Sequence, residues 1–527
     1  MNYFSLLFSI ALLIPVNVIF AQTYKLADGN EKTKYDDIVY SKSQEERNIF
    51  NKRKENQYAL MHESILSSDF LLLRSLLNKE KFNELNSTII QLDDSFTTNE
   101  LSEDSYFTTF EAFGIKDQSL SPLFNAWVKS TPNSYQPFIA RAIYYYSMGW
   151  LSRGNKWASE TKEEQIKGLN SYLDKASKDL RMALNINKKS LISYYYLIQI
   201  SVTQGEYDEA EQLLNKALEI RPSSYSIRAK YLKSLTPRWG GSLEAMQKYI
   251  DDASTDIKRY PELKLLEGYI YTELGDMNVL INKYTDADRL FSKSLEFGES
   301  HTVYFKRGRN NNRREEYLNS LNDLNKAIEL NNIKPIYYYW RAATFIDMKE
   351  YSKAVKDIQI AVQLDPYDED IKNKRKWLVA KFNHEAYKLR QKQKTDLAIE
   401  KYSTAMSLNP EDATIFYGRA RAYIQKRDLD LALVDLERAI EIDPDDINNY
   451  LLIDYVLAKS RDWDQIIGYW DKFIDLHPDN GRAYVERGGA YFYKGDMKSA
   501  LRNAKISADL GNLEGIEAYR KFSAGVE

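Results

Sequence analysis

Residues 413–446 read ATIFYGRARAYIQKRDLDLALVDLERAIEIDPDD, and the spacing of their apolar and small residues decides the fold. Phe416, Ala420 and Tyr423 recur at intervals of four and three, as one face of a helix requires. Ala432, Leu436 and Ala439 repeat that rhythm in a second segment, and Pro444 ends it. With Ala413 as position 1, these residues stand at positions 4, 8, 11, 20, 24, 27 and 32. Small side chains at 8, 20 and 27 let two antiparallel helices approach closely, and large ones at 4, 11 and 24 fill the space between. One such pair cannot bury its apolar face alone, so neighbouring pairs must stack.

The chain supplies those neighbours. One period on, Tyr450, Trp470 and Pro478 hold positions 4, 24 and 32; a further period brings Tyr484, Gly488, Tyr491, Gly495 and Ala500 into frame. Upstream, Phe382, Ala386, Ala398, Tyr402, Ala405 and Pro410 fit, as do Tyr338, Ala342, Phe345, Tyr351, Ala354, Ala361 and Pro366. Tyr304, Gly308, Tyr317 and Ala327 follow the same frame, and so do Tyr194, Leu197, Gly205, Tyr207, Ala210, Ala217 and Pro222. Two irregularities interrupt the array. The frames at 335 and 379 are 44 residues apart, and the surplus near Ile371 to Lys381 lengthens a helix or a turn. Residues 263–295 carry Gly268, Tyr271, Gly275, Tyr284, Ala287 and Phe291, a copy read with seven residues inserted between its helices. The pattern resembles the tetratricopeptide repeat, whose period is 34. The resemblance implies an all-α solenoid of antiparallel helix pairs, coiled as a right-handed superhelix.

The expected organisation is a signal peptide at 1–21, a polar, partly ordered leader at 22–65, a helical domain with repeat-like pairs and insertions at 66–257, and the repeat array at 258–527. Phe4 to Ile14 is almost wholly apolar, Pro15 breaks it, and Ala21 before Gln22 offers a cleavage site, so export to the periplasm or beyond the cell is expected. No later stretch approaches a membrane span, and no stable membrane insertion is expected after cleavage.

In the N-terminal half, Phe138, Arg141, Ala142 and Tyr145 read as a first repeat helix and Ala176, Leu180 and Ala183 as its partner. Between them lies an insertion from about 150 to 166 with Arg153-Gly154 and Trp157, and later comes Trp239-Gly240-Gly241. These residues resemble a bacterial domain family of unknown function that accompanies tetratricopeptide arrays, over roughly 66–255; the resemblance brings no known activity. Arg153, Trp157 and Trp239 are candidates either for a ligand pocket or for a tight structural corner, with Ser242 capping the helix that follows.

Composition narrows the chemistry. A net charge of −3 gives no global field for nucleic acid, and none is expected as a partner. The absence of cysteine excludes disulfides, thiolate metal sites and a cysteine nucleophile. The four histidines are far apart in sequence, without metal-ligand spacing. No hydrolase elbow, phosphate loop or zinc-protease helix is present, so no catalytic residue, cofactor or metal is assigned. Asp365-Pro366-Tyr367-Asp368 and Asp443-Pro444-Asp445-Asp446 lack the glycine and glutamate of a calcium loop and stand where Asp caps the next helix.

Two residue sets remain. Positions 2, 5, 9, 12 and 13 line the concave face in the family, and there this chain places Phe305, Arg309, Arg313, Tyr339, Tyr417, Arg421, Arg482, Phe492 and Tyr493. Arginine with exposed aromatics suits recognition of a protein or peptide, although a plain solvated face has the same look. The second set comes from helix facing. Paired positions sum to 28 across the seam, and 7 and 23 sum to 30, which sets them side by side at its edge. Arg307 and Asp323, Arg341 and Asp357, and Arg419 and Asp435 occupy them; Arg141 and Asp179 do so in the first pair. Glu385 and Lys401 swap signs, while Leu197/Leu213 and Ile453/Tyr469 lack charge together. The copy near 268 is the exception, with Glu267 opposite Leu290. Structural ion pairs are therefore expected inside the repeats. The sequence points to an exported, non-enzymatic scaffold that binds a polypeptide on its concave face; the alternative is a saccharide-binding or saccharide-processing accessory protein of the cell envelope.

Overall fold

The computed structural model describes residues 69–154 and 160–524. The expected signal peptide, the leader and Trp157 lie outside the described residues. Twenty-six α-helices and a few short 3-10 turns account for the ordered elements, with no strand among the described residues. The chain forms two compact units, one of residues 69–415 and one of residues 416–524.

In the first unit, α1 (Asp69–Asn78), α2 (Phe82–Thr97), α3 (Glu103–Phe110) and α4 (Ser121–Ser130) precede the first long pair, α5 (Gln136–Arg153) and α6 (Glu163–Ile186). Next come α7 (Leu191–Gln204), α8 (Tyr207–Ile220), α9 (Tyr225–Ser234), α10 (Leu243–Asp252) and α11 (Ser254–Arg259). The regular pairs are α12 (Leu265–Leu280) with α13 (Tyr284–Leu295), α14 (His301–Arg313) with α15 (Tyr317–Leu330), and α16 (Pro335–Asp347) with α17 (Tyr351–Leu364). The pair α18 (Glu369–Gln391) and α19 (Thr395–Leu408) follows. The second unit holds α20 (Ala413–Lys426), whose first turn belongs to the other unit, and α21 (Leu429–Ile442). It continues with α22 (Ile447–Ser460), α23 (Trp463–Leu476), α24 (Gly481–Lys494), α25 (Met497–Asp509) and α26 (Leu513–Ala524).

The small positions are where the helices touch. Ala342, Ala354 and Ala361 are fully buried, as are Ala386, Ala398 and Ala405, and Ala420, Ala432 and Ala439. At Gly308 a Cβ would meet Leu324 Cγ at 3.0 Å and Asp323 Cβ at 3.1 Å, so α14 and α15 approach here more tightly than a side chain ordinarily allows. The turn between paired helices has a fixed geometry: its residue at position 15 takes a left-handed backbone, at φ 61° in Glu315, 63° in Lys349, 58° in Gln393, 67° in Arg427 and 56° in Arg461. The acidic boundary residues are caps, since Asp368 accepts the Ile371 N–H and Asp446 the Asn448 N–H.

That turn corrects the reading of residues 263–295. Its left-handed residue is Asn282, two before Tyr284, where Gln393 and Glu315 stand in their own repeats. Counted back from it, position 8 is Gly275, not Gly268. A Cβ on Gly275 would lie 2.5 Å from the Phe291 ring. No residues are inserted: position 1 moves seven residues on, two turns of helix, to 268, and α12 begins only three residues ahead of it, at Leu265. Positions 7 and 23 become Leu274 and Leu290, so the charge exception disappears. The surplus after the frame at 335 is likewise helical, since α18 runs 23 residues without interruption.

The N-terminal helices do not form a separate layer. Phe107 and Phe110 of α3 are buried with Tyr196 and Leu197 of α7 in one core that also takes in Tyr338, Ala361, Leu364 and Ile371. Residues 69–415 thus pack continuously across position 257, and the loss of repeat regularity there is not a gap in packing.

Candidate binding face and ion pairs

The position-7 arginines meet the position-23 aspartates. Arg307 Nη2 lies 2.7 Å from Asp323 Oδ1 and its Nε 2.9 Å from Oδ2; Arg341 and Asp357 make the same fork at 2.7 and 2.8 Å, as do Arg419 and Asp435. Arg141 and Asp179 form it in the first pair, at 2.7 and 2.8 Å. Bidentate geometry aligns both planar groups and strengthens each bond. Burial is deepest at Arg419 and Asp435, whose side chains are 6% and 3% exposed.

Three of the forks have a further arm. Arg341 Nη1 donates to Asn325 and Arg141 Nη1 to Asn125, each 16 residues back, and Arg307 Nη1 donates to Ser292. One arginine therefore ties its own two helices to the helix before them. Arg487 keeps this arm, with Asp471 at 2.5 Å, and replaces the fork with a bond to Asn503 at 2.9 Å.

The sign-swapped pair is not made. Glu385 bonds Lys381 at 2.9 Å, one turn back on α18, and Lys401 stands 5.5 Å over the Phe382 ring and 3.9 Å from Glu400. A lysine ammonium is a point charge on a flexible stem and lacks the fork that fixes Arg on Asp across the seam. The nearer turn of the same helix wins the glutamate.

The residues chosen for the binding face divide into two groups. Arg309 stands 5.6 Å over Phe305 and 5.8 Å over Trp340, and Arg313 lies 5.9 Å over the same Trp340. Neither makes a hydrogen bond or ion pair among the described residues. Burial first, and Arg313 beside it second, lower the Arg309 pKa. Tyr339 lies 6.0 Å from Trp340, edge to face, with Lys374 5.6 Å over its ring. In the second unit, Arg421 likewise stands 5.7 Å over Tyr417 and makes no ion pair among the described residues. Trp340 is the shared platform, and the sequence reading missed it because it sits at position 6, outside the five positions taken as the face.

The last frame differs. Arg482 is consumed within the fold, bonded through Nε to Glu486 at 2.6 Å and paired also with Glu514 of α26. Phe492 stacks on Phe522 at 5.0 Å and Tyr493 on Trp463 at 5.2 Å. Helix α26 thus engages Arg482 and Phe492, and Trp463 of α23 engages Tyr493, so Arg482 is a weaker candidate than the sequence suggested. Phe492 and Tyr493 keep their outer faces in solvent.

Arg153 and Trp239 belong to a corner. Trp239 meets Trp150 edge to face at 6.5 Å, Arg153 lies 5.8 Å over Trp150, and Tyr207 Oη donates to the Trp239 carbonyl at 2.9 Å. Gly240 follows with φ 88°, and Ser242 caps α10 by accepting the Ala245 N–H. The geometry matches the tight-corner reading of these residues. No group of His, Asp or Glu among the described residues is arranged to hold a metal, and no helix there is long and apolar enough to cross a membrane.

Long-range polar contacts join α3 and the 3-10 turn Glu111–Phe113 after it to the repeats. His301 Nε2 meets Asp104 at 2.9 Å and its Nδ1 meets Tyr337 Oη at 2.5 Å; Asn331 donates to Asp104 at 2.7 Å; Lys334 contacts both Glu111 oxygens at 2.7 Å. Burial raises the Asp104 pKa, but His301, Asn331 and Lys334 outweigh it, so the carboxyl sits below its ordinary range.

Known proteins resemble two stretches of the chain. Residues 70–213 and 204–268 match a family described as a domain of unknown function (DUF4034). Residues 386–426 match a TPR repeat and residues 413–446 the tetratricopeptide repeat. A TPR repeat-containing protein of Methanocaldococcus jannaschii is 23% identical over 319 residues, 50% of this chain and 53% of that protein. Human serine/threonine-protein phosphatase 5 is 32% identical over 92 residues, 17% of this chain and 18% of the enzyme. The chain thus spans about half, or less, of the length of these curated relatives. Among solved structures, yeast Tom70 is 14% identical, with 84% of this chain and 96% of that chain covered at a TM-score of 0.25.

Proposed function

From the premise that this is a tetratricopeptide-repeat protein with an N-terminal domain of a family of unknown function, we propose that it is an exported, non-enzymatic scaffold that captures an acidic polypeptide segment. Repeat arrays of this kind serve protein interaction in general. One observation carries the finer reading. The arginines at position 7 are all locked onto acceptors, whereas Arg309, Arg313 and Arg421, at positions 9 and 13, have aromatic backing and no ion pair among the described residues. Arg309 and Arg421 are half-buried and Arg313 is exposed; a guanidinium with no ion-pair partner is a place for an anion to bind, and the ring beneath it adds a flat apolar surface for the adjoining residues.

The test starts with a pull-down by the full chain and continues as a titration of the captured polypeptide. Arg309→Ala with Arg313→Ala is expected to weaken binding on the order of tenfold or more at low salt. The difference should shrink at high salt, where such contacts are screened. Arg421→Ala is measured separately, and helicity should stay unchanged in both. Affinity equal to the wild type in both variants would remove this face from the reading. Export rests on the apolar run Phe4 to Ile14 and on Ala21. Protein recovered outside the cytoplasm is expected to begin near Gln22 on N-terminal sequencing; an intact Met1 on a cytoplasmic protein contradicts it.

A further inference from the structure

A cleft of about 430 Å³ opens between α3, α9, α12 and α14, in the size range of small-molecule sites. Its walls carry three carboxylates and three lysines. Most of these charges are satisfied within the fold. Glu103 accepts from Ser224 Oγ and, at 3.1 Å, from the Ser226 N–H; Asp104 is held by His301 and Asn331; Glu299 lies 3.3 Å from Lys326. Lys306 meets Asp276 at 2.6 Å. Lys230 is different. Its ammonium stands 4.0 Å over the Tyr195 ring and makes no hydrogen bond or ion pair among the described residues. Glu111, an opposite charge that reaches it through space, is taken on both oxygens by Lys334.

We infer that this cleft binds a small monocarboxylic acid, with the Lys230 ammonium holding the carboxylate and the rings of Tyr195, Tyr225 and Tyr269 enclosing an apolar or aromatic body. A single uncompensated cation in a cleft calls for a single anionic charge. Glu103, Asp104 and Glu299 line the same walls and repel a second one, so phosphate and polycarboxylates are disfavoured. Burial is also the largest influence on Lys230 itself; Glu111 opposes it, Lys334 adds to it, and together they lower the pKa to about 8. An anion seated beside it would return the amine to its charged form. The site touches both the N-terminal helices and the repeats, so its occupant would bear on how α3 sits against α9 and α14.

The lowered amine allows a direct test on the full chain. Trinitrobenzenesulfonate carries one anionic group and an aromatic ring, and it reacts with neutral amines, releasing sulfite. Labelling of Lys230 near pH 8 is followed by peptide mapping, in the presence of benzoate, benzamide or citrate. The expected result is that benzoate slows labelling of Lys230 about fivefold or more, while neutral benzamide and trivalent citrate slow it less than about twofold. Equal protection by all three, protection by none, or a Lys230 that is not labelled would each overturn the assignment.

Discussion

Asp435→Ala loses on the order of 3–5 kcal/mol of local stability, the cost expected when one partner of a buried ion pair is removed and the other stays behind uncompensated. The magnitude follows from position. Arg419 and Asp435 are almost wholly out of solvent and share two bonds of 2.8 and 2.7 Å, so the stranded guanidinium has no water to turn to. Arg307 and Arg341 are 23% and 20% exposed, and removing Asp323 or Asp357 costs less, because those arginines can relax outward. The double replacement Arg419→Met with Asp435→Leu recovers most of the loss, since an apolar pair of similar volume carries no desolvation cost. Repeat proteins unfold in parts, so the quantity to measure is hydrogen-exchange protection of α20 and α21 rather than one global midpoint. If all three single aspartate variants lose no more than about 1 kcal/mol, the forks behave as surface pairs and their structural role fails.

The forks were legible in the sequence because contact leaves a trace when a unit is repeated. Charge at position 7 and charge at 23 appear together and vanish together in every frame but that of Arg487, which faces Asn503, and a constant positional sum places them side by side. The trace records charge, not shape. It therefore suggested Glu385 with Lys401, where the missing guanidinium fork lets Lys381 take the glutamate instead. It also missed the third arm, Asn325 or Asn125, because that bond crosses to the preceding helix and its acceptor varies from Asn to Ser to Asp. The frame near 268 failed for a related reason. Gly268 and Gly275 are seven residues apart, two turns of one helix, so both fall on the same face and periodicity cannot choose between them. The left-handed backbone at Asn282 chooses, and no residue type announces it. Contacts of α3 with His301 and Asn331, and of Glu111 just after it with Lys334, span roughly 200 residues and follow no period. The Lys230 cleft depends on those contacts and was invisible for that reason.

Asp454→Asn is expected to stabilise the α22–α23 pair at pH 8 by on the order of 2–4 kcal/mol, and to change little near pH 4. Position 8 is Gly or Ala in the repeats at 301, 335, 379, 413 and 481, yet here it is an aspartate, buried against Trp470, which is itself fully buried at position 24. Trp470 Nε1 donates to Asp454 Oδ2 at 2.9 Å. Burial raises the carboxyl to about 7; Glu486 adds to the rise, and Trp470 and Arg482 oppose it. The folded state thus holds a proton up to about pH 7 that the unfolded chain releases near ~3.9. Between those values the native state binds more protons, so stability falls as pH rises through that window, and the full cost stands above it. Asparagine keeps an oxygen for the indole N–H and never ionises, so it removes the cost at high pH and leaves low-pH stability as it was. The buried Glu486 carboxyl, also raised above its usual range by burial, stays in both proteins, and the difference between them isolates Asp454. Hydrogen exchange of the α22 and α23 amides at both pH values reads it. A variant no more stable than the wild type at pH 8, or equally stabilised at pH 4, would mean that Asp454 is ionised without penalty in this core.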